Sequence, residues 1–330
     1  MAIDCEWSPP YDRSTTTGPG RGLVRAHFVS IGAFVMTNLA FTSPLTVERS
    51  ARSRHYLMTP PRYFAVEYAI NPWMHPEVEV DVELALRQWQ GLVDTYRRLG
   101  HRVDIMEPVA GLPDMVYAAN GALVTPRATI AARFAYPQRA AESAAYAVWL
   151  DSHGLGPVQV AQETNEGEGD FLVVGDLILA GTGFRTAPAA HAEVARLTGM
   201  QVVSLELVNP SYYHLDTALA VLDERTIAYY PAAFSPVAQA TLATIFPDAI
   251  IVTEADAAVF GLNAVSDGKH VLLAAAATGL AAQLVDRGFV PVPIDLTELL
   301  KGGGSVKCCT LELRRDLAVQ IPSGQNTEEK

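Results

Sequence analysis

One arrangement recurs along the chain and limits the folds open to it: strand, tight turn, strand, helix, strand, four times in succession between Asp114 and Asp295. The first copy predicts strands over 115–124 and 128–134, a helix over 138–153 ended by Gly154, and a strand over 158–161. The second predicts strands over 171–174 and 177–180 about a Gly175-Asp176 turn, a helix over 189–197 and a strand over 201–207. The third has strands over 217–222 and 226–230, a helix opened by Ser235 as N-cap and Pro236 in the first turn, and a strand over 249–252. The fourth has strands over 263–265 and 270–275, a helix over 278–287 stopped by Gly288, and a strand over 290–294. Pieces of a fifth copy lie at both ends: 308–314 supplies a first strand, while a strand over 62–68, a helix within 80–99 and a strand over 103–106 supply the rest. A fifth unit closed from both termini predicts a five-bladed α/β propeller of pseudo-fivefold ββαβ repeats with no free sheet edge. An open α/β sheet of similar-looking units is the alternative.

The regular pattern begins near Tyr63, which divides the chain into a disordered N-terminal tail over 1–55, a main domain over 56–318 and a C-terminal tail over 319–330. Residues 28–34 follow Arg21 and Arg25 as a signal peptide would, but no small-residue cleavage site comes after them, and Met36 is an alternative start. A net charge of -12 without a Lys/Arg cluster argues against nucleic acid and anionic membranes as partners. The longest apolar stretch, 271–285, contains Thr278, Gly279 and Gln283, so no membrane span is expected. Three cysteines, Cys5 and the adjacent Cys308 and Cys309, make no disulfide framework, which fits a reducing cytoplasm. With no His-x-x-x-His and no Cys-x-x-Cys, neither a metal nor a cofactor is expected.

The polar residues fall at matching places. Asp114 and Asn120 flank the first strand of the first unit; Glu166, Glu168 and Asp170 precede that of the second. His214 and Asp216 precede that of the third, Asn263 that of the fourth and Cys308 that of the fifth. In a closed ring these strand mouths share one cavity, rich in carboxylates with one imidazole and one thiol. Carboxylates grip a planar guanidinium through paired hydrogen bonds, and a thiol beside a histidine can be a nucleophile. The inventory therefore predicts attack of a Cys308 thiolate on a guanidinium carbon, with His214 protonating the departing amine and then activating water. In a strand, Cys309 would face away from Cys308. The glycines of Lys301-Gly302-Gly303-Gly304 let the backbone pass close to a ligand, and Gly302 is the candidate contact. Each residue has a bland reading too: Asp114 as a turn residue, 166–170 as a solvated acidic loop, His214 as a core histidine, Cys308 as a small buried hydrophobe. One shared site accounts for all of them together.

The motifs Tyr68-Ala69-Ile70-Asn71-Pro72-Trp73-Met74, Pro113-Asp114-Met115-Val116-Tyr117-Ala118-Ala119-Asn120 and Glu166-Gly167-Glu168-Gly169-Asp170 are three of six in order. The others are Tyr213-His214-Leu215-Asp216-Thr217, Tyr230-Pro231-Ala232-Ala233-Phe234 and Gly303-Gly304-Ser305-Val306-Lys307-Cys308. Together they resemble the guanidino-group-modifying enzymes of the pentein superfamily (arginine deiminase, dimethylarginine dimethylaminohydrolase, amidinotransferase), most closely the arginine dihydrolase type, over about Tyr63 to Leu313. The resemblance implies Cys308 as nucleophile, His214 as general acid and base, and Glu166 with Asp216 as the carboxylates that hold the guanidinium. It implies Arg133 and Arg185 on the substrate carboxylate, and Asn71 and Asn120 lining the pocket. Asn120 stands where deiminases and dimethylargininases tend to carry an acid, which favours L-arginine going to L-ornithine, ammonia and carbon dioxide. The alternatives are dimethylargininase, arginine deiminase or a non-catalytic pentein that binds. The partner is then a small molecule, L-arginine or a methylated arginine, and homo-oligomerisation stays open. Two positions depart from the family pattern: Glu168, where a small residue is usual, and Cys309, where an apolar one is.

Overall fold

A computed structural model describes residues 48–315 of the chain. The expectations that concern Cys5, the segment 28–34, Met36 and most of the two tails lie outside the described residues. Residues 48–54 are attached: Arg49 donates to Asp223 (2.6 Å) and to the Arg287 carbonyl (2.8 Å), and its guanidinium lies 3.4 Å over the Phe289 ring.

The strands are β1 (His55–Met58), β2 (Arg102–Ile105), β3 (Ala122–Val124), β4 (Thr129–Ala131), β5 (Val158–Val160), β6 (Phe171–Val174), β7 (Leu177–Thr182) and β8 (Gln201–Glu206). They continue as β9 (Leu219–Val221), β10 (Ile227–Tyr229), β11 (Ile250–Ile251), β12 (Val265–Ser266), β13 (His270–Ala274), β14 (Val290–Ile294) and β15 (Leu311–Glu312). They form five three-stranded sheets, ordered β15-β1-β2, β3-β4-β5, β6-β7-β8, β9-β10-β11 and β12-β13-β14. In every sheet the first pair is antiparallel and the second parallel. A parallel pair needs a crossover, and a helix supplies each one: Val82–Arg98, Glu142–Leu150, Pro188–Thr198, Pro236–Ile245 and Thr278–Asp286. The fold is thus mixed α/β with five small sheets of one topology. One of them joins the two ends of the described chain, with Tyr56 opposite Glu312 and Leu57 opposite Leu311.

The helices follow the sequence signals. Val82–Arg98 buries Ala85, Trp89, Leu92, Val93 and Tyr96 on one face, and its N-cap Asp81 accepts from the Leu84 N–H at 2.8 Å. Gly100, at φ +87, lets the chain turn off the helix into β2. Ser235 caps Pro236–Ile245 as expected, accepting from the Ala238 N–H.

Several strands differ from expectation. Residues 62–68 are irregular, and the strand of that unit is β1, which ends before Pro60 and Pro61, residues without the N–H groups a ladder requires. The segment 115–124 is mostly two 3-10 turns, Pro113–Val116 and Ala118–Gly121, with β3 only at its end. Leu215–Ala218 is likewise one helical turn before β9. Cys308 and Cys309 lie in a turn where the Cys309 N–H reaches the Ser305 carbonyl (3.1 Å), and β15 begins only at Leu311. Strand alternation therefore does not set which way the two cysteines face.

Candidate active site

A short turn delivers each unit's polar group, ahead of that unit's first strand. In the second unit the 3-10 turn Gly167–Gly169 carries Glu166, Glu168 and Asp170; Gly167, at φ +53, sits where a side chain would strike the Ala119 and Ala122 carbonyls. Gly169 is as tightly placed, since a methyl there would meet the Asn120 amide and the His214 ring. Asn120, Gly169 and His214, from three units, thus pack against one another.

Around the thiol, Cys308 Sγ donates to Asp216 Oδ2 at 3.3 Å and Asn263 Nδ2 donates to Sγ at 3.1 Å. Around the imidazole, His214 Nε2 lies 2.7 Å from Glu166 Oε2, which also accepts from Arg185 Nη1 at 2.8 Å. Arg185 donates besides to the Ile70 carbonyl (2.8 Å) and lies between the Tyr136 and Tyr213 rings, 4.6 and 4.7 Å from their centroids. Asp114 Oδ2 accepts from the Tyr68 hydroxyl at 2.8 Å. Cys308, His214, Glu166, Asp216, Asp114, Asn120 and Arg185 are all buried.

Charge states follow from these neighbours. Burial opposes ionisation of Glu166, yet Arg185 and His214 outweigh it and hold the carboxyl well below the usual carboxylate range. Asp216 has weaker support, and burial pushes it up to about 7 against the pull of Lys307. Burial likewise raises Asp114. Burial, then the Asp216 carboxylate, raise the Cys308 thiol well above its ordinary value. Four buried polar atoms of this cluster, Asp114 Oδ1, Asn120 Nδ2, His214 Nδ1 and Asp216 Oδ1, have no hydrogen-bond partner among the described residues. An unpaired buried polar atom is costly, so this set of two carboxylate acceptors, an amide donor and an imidazole nitrogen is poised for a polar ligand.

Not every expected residue joins the cluster. Arg133 is exposed, and its guanidinium is taken up by the Gln162 carbonyl. Arg139 occupies the interior instead, donating to Asn120 Oδ1 (2.8 Å), the Asp114 carbonyl (3.3 Å) and both oxygens of Glu142 (2.9 and 2.8 Å). Its signal in the sequence is the Arg139-x-x-Glu142 pair, which looks the same on any exposed helix start. Glu166 holds His214 and Arg185 rather than standing free with Asp216. Asn71 is half-buried: its Nδ2 donates to the Gly302 carbonyl at 3.1 Å and its Oδ1 accepts from the Trp73 N–H at 2.9 Å. Gly302 meets side chains, since a methyl there would strike the Tyr117 hydroxyl and Phe64. Glu168 is engaged by Lys307 (2.7 Å) and Arg314, which outweigh its burial and keep it ionised. A cleft of about 940 Å³ has Lys307, Glu312 and Arg314 in its wall, but not Cys308, His214 or Glu166.

Residues 61–315 match the family described as N,N dimethylarginine dimethylhydrolase, eukaryotic. A Mycobacterium tuberculosis protein named N(G),N(G)-dimethylarginine dimethylaminohydrolase is 61% identical over 265 residues, 80% of this chain and 87% of its own. A Synechocystis bifunctional arginine dihydrolase/ornithine cyclodeaminase, ArgZ, is 33% identical over 280 residues, 83% of this chain but 40% of its own. The crystal structure of the N-terminal domain of ArgZ bound to product superposes with a TM-score of 0.76 at 34% identity, covering 80% of this chain and 98% of that domain.

Proposed function

The chain belongs to the dimethylarginine dimethylhydrolase family and is a hydrolase of C–N bonds in amidines, and from that premise we propose that it hydrolyses Nω-methylated arginine to citrulline and the methylamine. The observation that carries the substrate class is the 61% identity to a dimethylarginine dimethylaminohydrolase along most of both chains.

The buried cluster supplies a route. The guanidinium cation lies against Asp216 and Asp114, whose free oxygens accept its N–H groups. Its positive charge offsets the Asp216 carboxylate and favours the Cys308 thiolate: the thiol proton passes to the His214 imidazole as the sulfur attacks the central carbon. His214, held by Glu166, gives a proton to the departing dimethylamine, leaving a thiouronium on Cys308. The same imidazole then takes a proton from water, whose oxygen adds to the carbon, and the thiolate leaves with citrulline as product. Arg139 and Arg185 are the cations available to the substrate's carboxylate. We read the five sheets as blades closing a ring about this cluster, and a reducing cytoplasm suits a nucleophile that must stay a free thiol.

A second reading is hydrolysis of L-arginine twice over, to ornithine, ammonia and carbon dioxide. Asn120 favours it, because its Nδ2 is a neutral donor at a position where an acid would grip the guanidinium more tightly. Incubation with asymmetric dimethylarginine and with arginine, followed by mass analysis, decides between them. Citrulline from dimethylarginine is expected; ornithine from arginine, with dimethylarginine untouched, overturns the first reading in favour of the second. A Cys308→Ser protein with full turnover overturns both.

A further inference from the structure

The fourth unit contributes to the cluster through Asn263, and this fully buried side chain uses all of its hydrogen-bonding capacity there. Its Oδ1 accepts from the Ser305 N–H and the Cys308 N–H, both at 3.0 Å. Its Nδ2 donates to the Asp216 carbonyl and to Cys308 Sγ, both at 3.1 Å. Its backbone carbonyl accepts from the Lys307 N–H at 3.2 Å. The orientation of the amide is fixed by these partners, because two backbone N–H groups demand the oxygen and a backbone carbonyl demands the nitrogen.

The residue itself is held from behind. Phe260 adopts a left-handed backbone, φ +59, that a bulky side chain seldom takes, and its buried ring packs edge-on against Trp73 at 4.6 Å. The Asn263 N–H closes onto the Phe260 carbonyl at 3.1 Å, so the packed ring fixes where the amide sits.

We propose that Asn263 is a catalytic residue of this enzyme: its Nδ2–H stabilises the sulfur anion of Cys308 while its Oδ1 fixes the turn that presents that sulfur. The inference rests on Cys308 as nucleophile. Burial and the neighbouring Asp216 disfavour the thiolate, and among the groups around the thiol the Asn263 hydrogen bond acts in the opposite sense. Only asparagine meets the requirement at this length. Aspartate keeps the acceptor for the two N–H groups but removes the donor and adds a second anion beside the sulfur; alanine removes both; glutamine is a methylene too long for a closed space.

The test measures the thiol itself, so it does not depend on the substrate. The rate of Cys308 alkylation by iodoacetamide is followed against pH in the wild type, Asn263→Asp and Asn263→Ala, with the modified peptide identified by mass. Asn263→Asp is expected to move the midpoint up by at least about one pH unit, which slows alkylation about tenfold at neutral pH. An unchanged midpoint in a folded Asn263→Asp protein overturns the proposal. Should that variant not fold, wild type labelled with 15N-asparagine carries the test: one side-chain amide is expected to titrate with the Cys308 thiol and to stop doing so in Cys308→Ser. If no amide titrates, the proposal is equally overturned. Neither failure touches the nucleophile assignment, which the turnover of Cys308→Ser tests separately.

Discussion

At Asp216 a carboxylate is kept in the interior next to a thiol, with its Oδ1 unpaired among the described residues, and burial pushes its pKa from 3.8 up to about 7. The folded protein therefore binds this proton more tightly than the unfolded chain. The stability it contributes is complete below about 3.8 and is lost as pH rises through about 7. Asp216→Asn removes the ionisation and keeps the shape, so it is expected to stabilise the fold at pH 8 by on the order of 2 kcal/mol and to change little at pH 4. The same variant should lose at least about a hundredfold in turnover, since it removes the charge proposed to hold the guanidinium. Thermal denaturation at the two pH values checks the first half, and an equal shift at both would contradict the burial argument. The two arginines give a second residue-level contrast. Arg139→Lys keeps the charge but not the fork that serves Asn120, Asp114 and Glu142, and should raise KM at least about tenfold. Arg133→Ala, on an exposed carbonyl contact, should leave KM within about twofold. Steady-state kinetics on both decides which arginine serves the site.

Among the elements, what could be read from the sequence was what has a period. The helix Val82–Arg98 and the hairpin β6–β7 repeat their apolar residues often enough to show, and five sheets of one topology follow from them. The turns that carry the chemistry do not repeat. Ala118–Gly121, Gly167–Gly169 and Leu215–Ala218 are three or four residues long and buried throughout, too short for any period to tell a strand from a helical turn. The polar residues at strand mouths could still be picked out, because their chemistry does not depend on the backbone between them. Arg139 was missed, since a buried ion pair and an exposed one are written alike. The glycine run shows how this changes an expectation. From sequence, Gly303→Val should harm activity more than folding. In the structure Gly303 has φ +86, and a side chain there would meet Asn71 and the Tyr213 hydroxyl within 3 Å. Strained backbone and a steric clash both oppose it, so Gly303→Val is expected to cost about 2–4 kcal/mol of stability as well as activity. Urea denaturation measures the first; an unchanged midpoint would show that the loop yields.

Across the whole molecule, the two ends of the described chain meet in a single sheet. β15 pairs with β1, the Leu313 N–H donates to the His55 carbonyl at 2.8 Å, and Arg54 lies 3.2 Å from Glu312. Arg314 binds both Glu168, in the second unit, and Glu312, so the last strand is fastened across the molecule as well as along its own sheet. Because Cys308 sits three residues before β15, forming this sheet also sets the position of Cys308. Antiparallel pairing brings the backbone after Leu313 beside the backbone before His55, so a short linker can bridge them without disturbing either strand. New ends can be opened at the exposed Gly175-Asp176 turn, where β6 and β7 form a hairpin and no backbone ladder continues past it. A circular permutant joined from Arg315 to Glu48 by about ten Gly/Ser residues and opened at Asp176 is therefore expected to fold and to keep turnover within about tenfold of the wild type. The informative control is a chain ending at Thr310, which keeps Cys308 and removes only β15 and its ion pairs. With Tyr56 and Leu57 unpaired and Glu168 deprived of Arg314, it should lose activity and unfold at lower denaturant. An active truncated chain would mean that β15 does not position Cys308, and an inactive permutant with an intact fold would mean that continuity through the β6–β7 turn matters more than pairing of β15 with β1.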